Sequence, residues 1–481
     1  MFLKRKTIWN ILKVAISNVI ILISSILVGF LLPKIVNIQD YGYYKTFTLY
    51  ASYVGLVHIG ITDGIYLKYG GKSYEDLESE KSIFRTFNLV VLLLDLFFST
   101  SLFVSSLFIA EQNIKFILIA LATFLIVNNM VGHFQIISQI TNRFNELAIK
   151  NSIQSFLTII LIVSIWFFYH QYNYSISYKL YTILYIAIIF GSLLYYLVRY
   201  RSIVFGRRAR LSESKQDIIK LIKIGLPLLI ANLCTGFILT IDRQIVNIFW
   251  PVSVSNDYSI YAFAYNLLSL VTIAISAIST VLYPTLKNTN QELLKSNYSN
   301  LIDGMLSLGF ICLLLYFPLC LFIEWFLPKY IDSLKIFRVV FPGIVLSSTI
   351  SVVIHNYYKV VGKNTRFFIY SLLILLLSLA SDIAVYFIFK STISISVASV
   401  FCIFIWFMLT DVFLVKRYSL NCFKNYSLIA VLLLSFYLVT LINNYYIGFG
   451  VHVATTLFVV YIYHYRHINS FVKTRFFGRK A

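Results

Sequence analysis

Charge is what this sequence has least of. Asp, Glu, Lys and Arg make up 12% of its 481 residues, about half the roughly 25% of a soluble domain. Such a chain cannot cover a water-facing surface, so a soluble globular class is excluded. Acidic residues are scarcer than basic ones, 19 against 40, for a net charge of +21. In a chain that is 59% hydrophobic, that excess means basic loops facing anionic lipid or an anionic substrate, not nucleic acid. Cysteine is also sparse. Cys234, Cys312, Cys320, Cys402 and Cys422 share no CxxC or metal-ligand spacing, which excludes a disulfide framework and a zinc site. Gly71-Lys72-Ser73 ends like a phosphate-binding P-loop, but Tyr66 stands where the first glycine belongs and no strand precedes it. An encoded ATPase is therefore excluded. No HExxH and no nucleophile–base pair occurs, so we expect no enzyme and no cofactor, with energy taken from an H+ or Na+ gradient or from substrate flux.

Long apolar runs are what the chain has instead. A membrane span needs ~20 apolar residues, and about fourteen stretches qualify by that measure. They cover 11–33, 44–67, 86–110, 116–140, 148–169, 178–198, 224–249, 258–284, 303–327, 333–356, 367–389, 393–415, 427–443 and 447–465. Lys4-Arg5-Lys6 before the first run resembles a signal peptide, yet Ile11 to Pro33 is too long for one and reads as an uncleaved helix. With the N-terminus in the cytoplasm, most of the 40 lysines and arginines fall on the cytoplasmic side, as the positive-inside rule requires. Both termini are then cytoplasmic. Aromatics at 17% suit lipid contact and interfacial belts.

The segment 199–223 is the most basic spacer and divides the first six spans from the rest. A repeat supports that division. Aligning Lys13 with Lys223 matches Ile35-Val36-Asn37 to Ile245-Val246-Asn247. Past a loop of unequal length, Asp40-Tyr41, Tyr44 and Tyr66 match Asp257-Tyr258, Tyr261 and Tyr283. Both copies start on the same membrane side, so the repeat is parallel. The expected architecture is an all-α integral membrane protein. It has an N-lobe (1–198), a basic cytoplasmic linker (199–223), a C-lobe (224–415) and two extra helices with a basic tail (416–481).

Ionisable residues inside spans cost ~2.5–3.5 kcal/mol each near the bilayer centre, so most are expected to face a cavity or a partner. Arg243 falls about 29 Å beyond Ile224 if span seven is one continuous helix. Its planar fork suits a phosphate. Lys13, Lys223, Lys68 and Lys287 sit at the inner ends of the four spans related by the repeat and, with Arg243 and Lys45, form the candidate cation set for an anionic substrate. Asp242, Asp63, His58, Asn232 and Asn266 are candidates for coupling or for polar contacts in a cavity. His58 and Asp63, five apart, share a helical face only imperfectly. Tyr44, Tyr261 and Tyr265 are candidates for stacking on sugars. Gly225 and Pro227 form a candidate hinge, and Pro227, Pro284, Pro318 and Pro342 are expected to kink or end their helices.

These elements carry a resemblance. Asp40-Tyr41-Gly42 followed by Gly60, Asp63 and Gly64, then Gly225-x-Pro227, Asp242-Arg243, Tyr261-x-x-Ala264 and Tyr283-Pro284, resemble in order the two lobe starts of the Wzx-type polysaccharide flippases of the MOP exporter superfamily. The resemblance implies a two-lobe alternating-access transporter with a cationic cavity in a bacterial inner membrane. Its substrate would be an undecaprenyl-diphosphate-linked oligosaccharide, an O-antigen or similar unit, moved to the outer leaflet. Implied partners are that polyprenyl-diphosphate-linked glycan, membrane lipids and other glycan-assembly proteins. Two alternatives stand beside it: a multidrug or cation exporter of related fold, and a membrane polysaccharide polymerase or ligase. The extra lysines argue against the first, whose main charges would be buried carboxylates, and the absence of a large outer loop argues against the second.

Overall fold

A computed structural model describes residues 5–172, 175–287, 290–420, 423–442 and 444–472. The side chains of 5–15, most of 271–287, 291, 423–424 and 464–472 lie outside that description. Among the described residues the chain is helical throughout, with no strand. This is what a lipid-embedded chain must do to satisfy its own backbone. Packing divides the chain into two compact units, Met1–Ala262 and Phe263–Ala481.

The first unit holds α1 (Arg5–Ile35), α2 (Ile38–Ala51), α3 (Ile61–Tyr69), α4 (Tyr74–Ser79), α5 (Lys81–Leu107), α6 (Gln112–Ile140), α7 (Phe144–Tyr172), α8 (Tyr178–Arg199), α9 (Arg201–Val204), α10 (Leu211–Ile238), α11 (Ile241–Phe249) and the start of α12 (Asp257–Lys287). The seventh span, which opens the expected second lobe, therefore packs with the first unit. The second unit continues with α13 (Gln291–Cys312), α14 (Tyr316–Phe326), α15 (Ser333–Val340), α16 (Gly343–Thr349), α17 (His355–Val360), α18 (Asn364–Phe389), α19 (Thr392–Tyr418), α20 (Phe423–Val439) and α21 (Tyr445–Val472).

Every expected span has a helical counterpart, but fourteen uninterrupted spans are not what the described residues show. Ten helices are long and apolar enough to cross a membrane, or eleven if Ser333–Val340 and Gly343–Val360, bent by 43°, make one span. The second span is broken into α2 and α3, and the thirteenth is short. Two prolines mark breaks as expected: Pro342 lies between α15 and α16, and Pro318 follows the 3-10 turn Leu313–Leu315. Pro227 and Pro284 do not end their helices, since α10 and α12 run through them.

The break in span two has a local cause. Ser52 to Gly60 contains a 3-10 turn, Val54–His58, closed by Ile59 and Gly60 at φ of 49° and 81°. Gly60 must be glycine twice over: its φ is positive, and a Cβ there would sit 2.6 Å from the Leu226 backbone nitrogen. The turn leaves carbonyls without helical partners, which membrane interiors do not tolerate. The Asn129 amide on α6 satisfies the Val54 carbonyl at 2.8 Å.

The second unit carries its own buried carboxylates. Asp411 on α19 accepts from Tyr298 on α13 at 2.5 Å and from Tyr426 on α20 at 2.8 Å. That pair ties the penultimate helix to the bundle. Asp382 accepts from Ser378 and Ser399 across α18 and α19.

Candidate functional site

The cation cluster forms where span seven breaks. This corrects the continuous-helix expectation: α10 stops at Ile238 and α11 restarts at Ile241. Arg243 therefore stands in the first turn of a short helix. Its guanidinium Nη2 donates to the Leu239 carbonyl at 2.7 Å, capping the end of α10. Asp242, 2% exposed, accepts from the Arg243 backbone N–H at 2.7 Å and from the Tyr261 hydroxyl at 2.8 Å. A carboxylate at a helix N-terminus is favoured by the dipole. The carboxylate is thus held by a backbone N–H and by the Tyr261 hydroxyl.

Lys45 on α2 stands across the α2–α11 seam from Arg243, at the place where Thr46 bonds Asn247 at 3.1 Å. Its ammonium sits 5.3 Å from the Tyr41 ring centroid and 6.0 Å from that of Tyr44, where the ring faces offset part of the cost of a charge in apolar surroundings. Two cations in one another's field repel, and an anion between them relieves the repulsion. The chemistry of the cluster therefore suits a phosphate or diphosphate, with Arg supplying a fork and Lys a point charge.

A seam between the two halves of span two and the two halves of span seven encloses the cluster. On the outer side, Thr46 bonds Asn247 at 3.1 Å, Gln39 bonds the Val252 carbonyl at 3.2 Å, and Gly42 comes so close to Ser259 that a Cβ would meet its Oγ at 2.1 Å. In the middle, Tyr53 meets Thr240 through its hydroxyl at 2.5 Å and stacks on Phe237 at 4.7 Å. On the inner side, Gly60, Gly64 and Gly225 bring the α3 and α10 backbones together: a Cβ on Gly225 would meet the Gly60 carbonyl oxygen at 2.0 Å. Gly225 is thus a packing contact and not an open hinge. The interruption expected at Gly225-Pro227 falls instead at Leu239–Thr240.

The break in span two also brings His58 to Asp63, with Nε2 3.8 Å from the carboxylate. In one continuous helix, residues five apart share a face only imperfectly. His58 Nδ1 accepts from the Gly60 N–H at 3.2 Å. Behind this pair runs a buried polar network. Thr62 meets His133 Nδ1 at 3.1 Å, and His133 Nε2 meets Asn88 Oδ1 at 2.8 Å. An amide oxygen can only accept, so Nε2 carries the ring proton. The Asn129 amide donates to Asp95 at 2.8 Å as well as to Val54. Sequence reasoning missed Asn88, Asn129 and Thr62. Asparagine on an apolar helix beside a Gly-rich interruption was the available signal.

The remaining candidates are dispersed. Lys68 is exposed and paired with Asp217 at 3.4 Å, and Lys223 is exposed. The side chains of Lys13 and Lys287 lie outside the described residues. Tyr261 is fully buried with its hydroxyl on Asp242, and Tyr44 is 7% exposed and packs edge-on against Tyr181 at 5.2 Å. Neither presents a face to a sugar in this structure, because each is used to pack the helices that hold the cations. Asn232 is exposed on α10, and Tyr265 and Asn266 are half-buried in the second unit.

The fold defines the class. The chain is similar to lipid II flippase MurJ in an inward-closed conformation, with a TM-score of 0.65 and 17% identity over 96% of this chain and 100% of that one. It is similar to an inward-facing multidrug resistance MATE family transporter of the MOP superfamily, with a TM-score of 0.59 and 14% identity over 84% of this chain and 94% of that one. A Vibrio cholerae MATE transporter gives 0.55 and 12% over 85% and 94%. This is the fold of the MOP exporters, as the motif resemblance implied, and the protein is a multi-pass membrane protein. The sequence matches the family model described as polysaccharide biosynthesis protein over residues 3–290, and the chain belongs to that family. No curated protein matches the sequence.

Proposed function

We propose that the protein is a flippase for a polyprenyl-diphosphate-linked oligosaccharide, an O-antigen or similar repeat unit, and carries it from the cytoplasmic to the outer leaflet of a bacterial inner membrane by alternating access. The observation that supports this reading is the α2–α11 seam, where Thr46 bonds Asn247 and which carries Lys45 on one side and Arg243 on the other, with the Asp242 carboxylate accepting from Tyr261. A diphosphate there gains charge-assisted hydrogen bonds worth about 1.5–3 kcal/mol each. A cationic drug placed there meets like charges, which cost several kcal/mol. That argues against a multidrug exporter on the same fold. His58 and Asp63, in contact at the break of span two, are our proposed site of H+ or Na+ coupling. Lys13, Lys68, Lys223 and Lys287 act in this reading only as cytoplasmic-side charge that attracts the head group.

The test is reconstitution into vesicles with a head-labelled polyprenyl-diphosphate oligosaccharide on one leaflet. Label should become accessible on the other leaflet only with protein present. Equal rates in protein-free vesicles, or transport of a cationic drug in place of the lipid, overturn the proposal.

A further inference from the structure

Between α8 and α10 the chain is not a free loop, because 202–209 is tied to α4 and to the start of α5. Arg85 donates from Nε to the Ser202 carbonyl at 3.0 Å and from Nη1 to the Arg207 carbonyl at 2.9 Å. The Asn88 amide donates to the Ile203 carbonyl at 2.9 Å, and the Ala209 N–H donates to the Ser82 carbonyl at 3.1 Å. The Tyr74 and Ser202 hydroxyls meet at 2.8 Å. Tyr200 and Ile203 are fully buried. Gly206, at φ of 116°, makes the reversal beside the Arg85 guanidinium, whose carbon a Cβ would approach to 2.8 Å.

What these ties leave outside is basic and apolar. Arg201, Arg207, Arg208 and Arg210 are exposed. Among the described residues none of the four enters an ion pair or donates a hydrogen bond from its side chain. Neighbouring cations of the first unit are engaged: Arg199 pairs with Glu146 at 2.6 Å, Lys68 with Asp217 at 3.4 Å and Lys72 with Glu80 at 3.4 Å. Among the free arginines stand Phe205 and Leu211, 61% and 58% exposed. Phe205 follows closely on Arg199, where α8 ends, with one helical turn between. The loop therefore stays at the membrane surface, on the side that the basic-loop asymmetry makes cytoplasmic.

We propose that the loop 201–211 is a docking site for anionic phospholipid of the cytoplasmic leaflet, with Arg207, Arg208 and Arg210 on the phosphates and Phe205 and Leu211 among the acyl chains. This goes beyond the flippase reading and does not depend on it. An arginine fork suits a phosphate, and exposed apolar side chains beside basic ones suit the boundary between head groups and acyl chains. The ties to α5 raise affinity, since a loop already fixed loses little freedom when a lipid binds. An acidic protein face would also be drawn to the arginines, but apolar side chains at the end of a spanning helix meet acyl chains first.

The test is photocrosslinking of the intact full chain in vesicles of equal parts phosphatidylglycerol and phosphatidylcholine. The photoreactive residue p-benzoylphenylalanine replaces Phe205 or, as a control, the exposed Leu376 on α18, and mass spectrometry reads the two lipids among the adducts. Each basic residue near an anionic surface contributes about fivefold. We therefore expect phosphatidylglycerol to be enriched about tenfold or more at position 205 over position 376. Arg207→Gln, Arg208→Gln and Arg210→Gln combined should abolish the enrichment. Arg85→Met, which cuts the ties but leaves the exposed arginines, should lower it severalfold. Equal lipid ratios at the two positions overturn the proposal. An enrichment that survives Arg85→Met means that net charge alone draws the lipid, and overturns the built site. A protein adduct at position 205 in native membranes, in place of phosphatidylglycerol, gives the loop to an acidic protein and overturns the proposal as well.

Discussion

Gly225→Ala should weaken the closed inner seam, and the structure sets the size of the effect. Alanine is the better helix former by about 1 kcal/mol, so in an exposed helix the change would stabilise. Here the new Cβ would lie 2.0 Å from the Gly60 carbonyl oxygen and 2.4 Å from the Gly64 nitrogen. Both are backbone atoms that cannot rotate aside, so α3 and α10 must part by about an ångström or more to reach contact distance. Overpacking of that kind costs about 1–3 kcal/mol. The clash outweighs the propensity gain, and the net is about 1–2 kcal/mol against the closed seam, roughly a 5- to 30-fold shift in its population. Spin labels on cysteines replacing Lys68 and Asp217, whose side chains meet at 3.4 Å across this seam, report it as a distance. The label separation in membranes should lengthen in the Gly225→Ala background. An unchanged separation together with a higher melting temperature would show that propensity dominates and that the close approach is not as described.

Three further outcomes follow from the same geometry. Ile59→Gly should raise stability by about 1 kcal/mol, read as a higher melting temperature in detergent, because a β-branched residue at φ of 49° is strained and its side chain is 37% exposed. Asn129→Leu should lower stability by about 1–3 kcal/mol for each buried acceptor it strands, Val54 and Asp95, and should increase proteolysis at the Ser52–Gly60 break; Asn128→Leu, one position away, serves as the control. On the cytoplasmic loop, backbone and side-chain hydrogen bonds from Ser73 hold the Asp76 carboxyl below the usual carboxylate range. Its capping contribution to α4 is therefore present above about pH 4 and lost as pH falls through the lower folded value. Amide exchange across 74–79 should accelerate only in that acid window, and Asp76→Asn should remove the dependence.

Much of the fold was legible because apolar length and basic-loop asymmetry are imposed by the bilayer itself. The helical segments and the motif order both pointed to the MOP architecture. What the sequence concealed was where helices break. Hydropathy reads 44–67 and 224–249 as continuous, since Val54, Val57 and Leu239 are as apolar in a turn as in a helix. Gly60 and Thr240 matter only once a neighbouring backbone is present. The site suffered from the same blindness. His58 and Asp63 meet because of a break that no periodicity reveals, and Arg243 was placed on the wrong helix for that reason. Tyr44 and Tyr261 were chosen for sugar because aromatics suit it, but partners distant in sequence, Tyr181 and Asp242, decide their use.

The central claim is that Lys45 and Arg243 together hold an anionic head group. Its most direct measurement is the affinity of the purified protein for a polyprenyl-diphosphate oligosaccharide, compared with the same glycan on an uncharged polyprenyl carrier. Arg243→Ala and Lys45→Ala should each raise the Kd for the diphosphate lipid by about 10- to 150-fold, with the uncharged lipid bound weakly and equally by all three proteins. Correctly inserted variants that bind the diphosphate lipid as tightly as the unaltered chain would contradict it.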